Sequence, residues 1–170
     1  MDFREYGFQT GKVLLPGLDL EVKLGPNQFF RNDGFVEDIV EHTNEIYREF
    51  KCPNDAPEKP SLFGRCLSIS NPRYKFAIVF AKSRDEPNDQ FVWAHESTHA
   101  AMRLGFKKEF LTLLKVRGFN LNPFKKYCDE EAIANVGGLL GLYVAFPLVQ
   151  YSFLDESLIS LWKDMRESRA

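Results

Sequence analysis

A chain of 170 residues, 44% hydrophobic and 14% aromatic, can bury one substantial core and fits a single domain over 1–170 better than two. Its formal charge of -2 gives no electrostatic reason to bind nucleic acid or an anionic membrane surface, and neither is expected as a partner. Three cysteines, Cys52, Cys66 and Cys128, show no Cys-x-x-Cys spacing, which argues against a disulfide framework and for a reducing, cytoplasmic setting.

The opening residues Met1-Asp2-Phe3-Arg4-Glu5 lack the apolar core of a secretory signal, so export is not expected. From Lys12 to Leu24 apolar and polar side chains alternate around Pro16-Gly17, the pattern of a hairpin closed by Gly25-Pro26-Asn27. Phe35, Ile39, Ile46 and Phe50 then recur at helical intervals, which predicts an amphipathic helix from Gly34 to Phe50 capped by Asp33, with His42 incidental to it. The proline-rich, charged segment Cys52 to Pro60 reads as a connection. Tyr74 to Ala81 is a dense β-prone run that predicts a central or inner-edge strand, and Ser83 to Asn88 a polar turn.

Helices are expected from about Asp89 to Leu104, ended by Gly105, and from about Lys107 to Val116, ended by Gly118. After a loop at Asn120 to Pro123, a long helix from about Tyr127 to Pro147 and a last one over about Leu154 to Arg166 complete the chain. The stretch Ala132 to Val149 is apolar enough to raise the question of a membrane span. Asn135, Gly137, Gly138, Gly141 and Pro147 within it, and Asp129-Glu130-Glu131 before it, suit a buried core helix instead.

The chemistry is carried by His95-Glu96-Ser97-Thr98-His99, a His-Glu-x-x-His spacing. Four residues are slightly more than one helical turn, so both imidazoles project from one face and can share a tetrahedral zinc. Glu96 is carried towards the open coordination position, where it can act as general base on a water. The flanking Val92, Trp93, Ala94, Ser97, Thr98, Ala100 and Ala101 are uncharged, which keeps competing charges away. Two of the three histidines in the chain are used at this spacing.

A catalytic zinc takes three protein ligands and leaves the fourth place to water. The helix after Asp129 offers Glu131 as the third ligand, with Asn135 one turn on to orient a zinc histidine by a hydrogen bond to its outer nitrogen. Glu130 is the rival for the ligand role, otherwise suiting the first turn of the helix. At these residues the chain resembles the gluzincin metallopeptidases, the thermolysin- and neprilysin-like group, in which a second helix supplies a glutamate ligand and Glu-x-Ile-Ala-Asp precedes Gly-Gly. Here Glu131-Ala132-Ile133-Ala134-Asn135 precedes Gly137-Gly138. The resemblance covers these two helices and implies His95, His99 and Glu131 as metal ligands, Glu96 as base, zinc as cofactor and a peptide or protein as substrate. Asn135 stands where the family has an orienting aspartate, and no histidine follows His99 to stabilise the oxyanion. Tyr127, Tyr143, Tyr151 and Arg103 are the donors that could replace it.

Gly64-Arg65-Cys66-Leu67-Ser68 is also similar to the metal-binding segment of peptide deformylase, which would make Cys66 the third ligand of an amidase. That family's early glycine-rich segment is missing, and its histidine helix lies nearer the C-terminus. A third reading is a non-catalytic protein-binding module that keeps zinc as a scaffold. The expected fold is α+β and zincin-like: a small twisted β-sheet packed on the active-site helix, with a mainly helical C-terminal half. Phe76 to Ala81 is expected to serve as the edge strand that pairs with an extended substrate.

Overall fold

The computed structural model describes residues 9–10, 12–15, 20–23, 29–36, 39–50, 64–69, 74–81, 86–116, 118–123, 130–146 and 156–167. Six strands and five helices appear among them, an α+β arrangement. In chain order they are β1 (Gln9–Thr10), β2 (Lys12–Leu15), β3 (Leu20–Lys23), β4 (Phe29–Val36), α1 (Ile39–Phe50), β5 (Gly64–Ser68), β6 (Phe76–Ala81), α2 (Glu86–Arg103), α3 (Lys107–Val116), α4 (Glu130–Ala145) and α5 (Glu156–Glu167).

The expected hairpin is formed by β2 and β3, antiparallel with Lys12 opposite Lys23 and Leu15 opposite Leu20. The principal sheet has the order β1-β4-β6-β5. β4 runs parallel to β6, while β1 on β4 and β5 on β6 are antiparallel. Two of these strands depart from the sequence reading. Gly34 and Phe35, expected to open the first helix, belong to β4, and the register shifts between Asn32 and Gly34, so Asp33 lies at an irregularity in a strand and not at a helix cap. The helix starts at Ile39.

β6 is the middle of the sheet. Phe76, Ile78 and Phe80 point to the side of α2 and α4, whereas Ala77 and Val79 point to the side of α1, where they meet Ile39 and Ile46. Both faces are covered, which is why the run Phe76–Ala81 is apolar throughout instead of alternating. The central position expected of this run is thus observed, while its expected use as the edge strand for a substrate is corrected: β6 lies between β4 and β5, and among the described residues β5 is the edge on the α2 side.

Ile78, Phe80, Trp93, Ala100, Ala101, Phe110, Ile133, Val136 and Leu139 form the larger core, with α2 at its centre. Trp93 packs against Phe80 with ring centroids 5.7 Å apart, and each such buried large side chain contributes about 1.5–3 kcal/mol. α2 begins at Glu86, three residues before the expected start, because Pro87 falls in the first turn, where its missing N–H costs no hydrogen bond. Its end is as expected. Gly105 takes a left-handed φ of 90° while Phe106 donates its N–H to the carbonyl of Ala101, and Gly118 with Phe119 closes α3 in the same way. No helix among the described residues is long and apolar enough to cross a membrane.

Candidate metal centre

Two glycines set the distance between α2 and α4. A Cβ on Gly137 would collide with the side chain of Thr98, and one on Gly138 would lie 2.8 Å from the Phe91 ring. Thr98 is itself fixed, its hydroxyl donating to the carbonyl of Ala94 at 2.7 Å. Contacts run from Arg103 towards Phe91 on α2 as they run from Glu130 to Gly138 on α4, so the helices are antiparallel. The first turn of α4, with Glu130 and Glu131, is thereby laid beside His95, His99 and Arg103, and the two carboxylates complement the dipole of the helix they open.

The donors converge. His95 Nε2 and His99 Nε2 lie 3.2 Å apart, Glu131 Oε1 is 3.2 Å from the first and Glu131 Oε2 is 3.0 Å from the second. One ligand atom from each of the three side chains lies within 4.8 Å of the others, close enough for the two imidazoles and the carboxylate to share one metal ion. Among the described residues this trio is the group of His, Cys, Asp or Glu side chains able to hold a metal ion. The histidine side chains are 12% and 10% exposed and that of Glu131 is 65% exposed, so the cluster is protein-backed on the α2 side and open on the glutamate side.

The electrostatics agree with a cation. Hydrogen bonds from His95 and then His99, working against partial burial, hold the Glu131 carboxyl far below the usual carboxylate range. Burial would lower the His99 pKa, but the carboxylates of Glu131, Glu96 and Glu130 outweigh it and the net shift is upward. A proton on His99 thus stands where a metal would: with Nδ1 bonded to a carboxylate, only a proton or a cation reconciles Nε2 with Glu131 Oε2 at 3.0 Å.

Glu96, 6% exposed, sits beside this point with Oε1 4.0 Å from His95 Nε2. Burial pushes its carboxyl above the ordinary value, against the pull of His95 and His99. Gly64 lets β5 approach this part of α2. A Cβ there would strike Val92 and come 3.4 Å from Glu96 Cγ, so the start of β5 touches the helix next to the acid.

Of the two glutamates weighed as ligand, Glu131 faces the Nε2 atoms, whereas Glu130 takes the outer role: His99 Nδ1–H donates to its Oε1 at 2.7 Å. That role was expected of Asn135, which instead lines a cavity of about 500 Å³ between α4 and α5 with Ala132, Ser157, Leu158 and Asp164. The adjacent Glu130-Glu131 pair at a helix start was the signal available, because side chains one residue apart diverge by about 100° and can reach the two sides of one imidazole. Arg103 is engaged by Glu130, the carbonyl of Cys66 and the hydroxyl of Ser68, which gives it a bracing place and not that of an oxyanion donor. Tyr143 is stacked on Trp162 of α5 with ring centroids 5.0 Å apart, and Tyr127 and Tyr151 lie outside the described residues.

Cys66 is not in the metal-holding group. It is a free, buried thiol whose pKa is pushed well above the ordinary value, chiefly by burial, so it is protonated and packed. His42, on α1, contacts Glu45 of its own helix. The chain matches no known protein-family model, no curated protein and no solved structure, so its function has to be argued from these residues and their geometry.

Proposed function

We propose that this chain is a zinc-dependent hydrolase of peptide bonds with a gluzincin-like site and a zincin-like fold. The observation that carries the reading is the convergence of His95 Nε2, His99 Nε2 and the Glu131 carboxylate at 3.0–3.2 Å with a buried Glu96 beside them. Two imidazoles and one carboxylate are a donor set that suits zinc and leaves a fourth position for water. When bound, zinc would polarise the scissile carbonyl and make water acidic enough to be deprotonated near neutral pH. Glu96 accepts the proton of the attacking water and returns it to the leaving amine, a duty for which its raised pKa fits it.

The edge strand β5 supports a polypeptide substrate. Ile69 N–H turns inward to Lys75 at 2.8 Å, and the two-residue alternation of an antiparallel edge turns the main-chain groups of Gly64 and the N–H of Cys66 outward, the Cys66 carbonyl being taken by Arg103. An extended chain pairing there would pass beside Glu96, whose Cγ would lie 3.4 Å from a Cβ on Gly64. A cytoplasmic setting belongs to the same proposal and rests on the odd cysteine set and the free Cys66 thiol.

The test is zinc content of the purified chain by elemental mass spectrometry, together with hydrolysis of a peptide library. One zinc per chain is expected, and Glu96→Gln should keep the metal while slowing hydrolysis by roughly 10²–10⁴-fold. Protein without stoichiometric zinc, or undiminished hydrolysis by Glu96→Gln, would overturn the assignment.

A further inference from the structure

The two histidines of the metal centre are held very differently. His99 donates its Nδ1–H to Glu130 Oε1 at 2.7 Å. His95 Nδ1 is buried and has no hydrogen-bond partner among the described residues. Glu130 in turn is gripped by Arg103, whose Nε–H donates to the same Oε1 at 3.0 Å. The guanidinium is anchored at its other end, where Nη1 donates to the carbonyl of Cys66 at 3.0 Å and to Ser68 Oγ at 3.1 Å. A single line of contacts thus joins β5, the C-terminal end of α2, the first turn of α4 and the second histidine of the metal motif.

We infer that Glu130 and Arg103 are a positioning pair that fixes His99 with its Nε2 lone pair on the metal, making His99 the anchored ligand and His95 the adjustable one. The inference rests on the zinc reading above. A neutral imidazole carries one proton, and an ionised carboxylate can only accept, so Glu130 keeps that proton on Nδ1 and leaves Nε2 free to ligate. The same bond makes the ring more basic and stops its rotation. Arg103 acts on Glu130 through geometry. A planar guanidinium with its far edge tied to the Cys66 carbonyl leaves Nε–H aimed at one place, and Glu130 cannot turn outward without breaking that bond. A carboxylate without this tether could swing to solvent, since Glu130 is 41% exposed.

The rival explanation is an ordinary surface ion pair between helices, worth little to the fold and nothing to the metal. Two measurements on the full chain separate them. In the first, zinc dissociation constants are obtained by chelator competition at one pH. Glu130→Gln and Arg103→Ala should each weaken zinc binding by roughly 10–100-fold, with unfolding midpoints of the metal-free variants close to the original. In the second, the metal-free protein with 15N-labelled histidine is observed by nuclear magnetic resonance. A slowly exchanging, downfield Nδ1 proton is expected for His99 and should be lost in Glu130→Gln and in Arg103→Ala.

Zinc affinity within about threefold of the original in both variants overturns the inference while leaving the hydrolase reading intact. So does a loss of affinity seen only in protein that has unfolded. If the original chain takes up no zinc, the hydrolase reading falls, and the metal-free spectrum alone decides the pairing: a protected His99 proton that depends on both residues upholds it, and its absence overturns it.

Discussion

At the scale of single residues, the centre is a place where a cation is owed. Glu131 is drawn down by both histidines and His99 is drawn up by three carboxylates, so the metal-free protein keeps a proton between them. The signs give a pH window. A group with a raised folded pKa stabilises fully below its unfolded value of 6.5 and loses that contribution as pH climbs through the folded value. A group with a depressed pKa stabilises above its unfolded value of 4.5 and loses it only far into acid. The unfolding midpoint of the metal-free protein should therefore decline as pH rises past 6.5, and Glu96, whose carboxyl burial raises, adds to that decline from pH 4.5 upward. The zinc-loaded protein should hold its midpoint there, because metal replaces the proton. Thermal unfolding of both forms across pH checks this, and parallel curves for the two would contradict it.

At the scale of elements, the site depends on how closely two helices approach. Replacing Gly137 with valine would drive a branched side chain into Thr98, one residue before a ligand, and lift the start of α4 from α2. We expect a loss of about 1–3 kcal/mol in stability and a larger fractional loss in zinc affinity. Denaturant unfolding and chelator competition would test the pair of effects, and a variant with unchanged zinc affinity would refute the role given to the glycines. The same elements show what was legible beforehand. Helices α2 and α3 announced themselves through local chemistry, a periodic apolar face and a glycine beyond the last turn. The histidine spacing is equally local, so those ligands were readable.

What escaped was decided by partners remote in sequence. Gly34 and Phe35 carry a pattern continuous with the helix after them, yet parallel pairing with β6 some forty-five residues away makes them strand. The edge position of β5 and the outward carbonyl of Cys66 follow from sheet order, which periodicity does not encode. The division of labour between Glu130 and Glu131 is likewise set by the crossing of two helices. Asn135, one turn after Glu131, looked suited to the inner face and is turned to α5 instead.

At the scale of the whole molecule, the ligands come from two helices whose separation is fixed where the main chain at Gly137 and Gly138 meets the side chains of Thr98 and Phe91. The backbones that carry the donors are thus held at one spacing, within which His95 and the exposed Glu131 keep some freedom of side-chain position. On the zinc reading, zinc should bind at this spacing, and cobalt, with similar ligand preferences, should follow it. Calcium asks for six to eight oxygens, and of these the trio supplies only the carboxylate of Glu131, so calcium should bind poorly. At a hundredfold excess over its dissociation constant, zinc should add about 2.7 kcal/mol to stability, and cobalt should act similarly. Millimolar calcium should leave the unfolding midpoint where it was, and a calcium shift equal to that of zinc would show that the trio does not discriminate between the two ions. The spacing on which the trio depends is thereby set by a pair of residues that have no side chain at all.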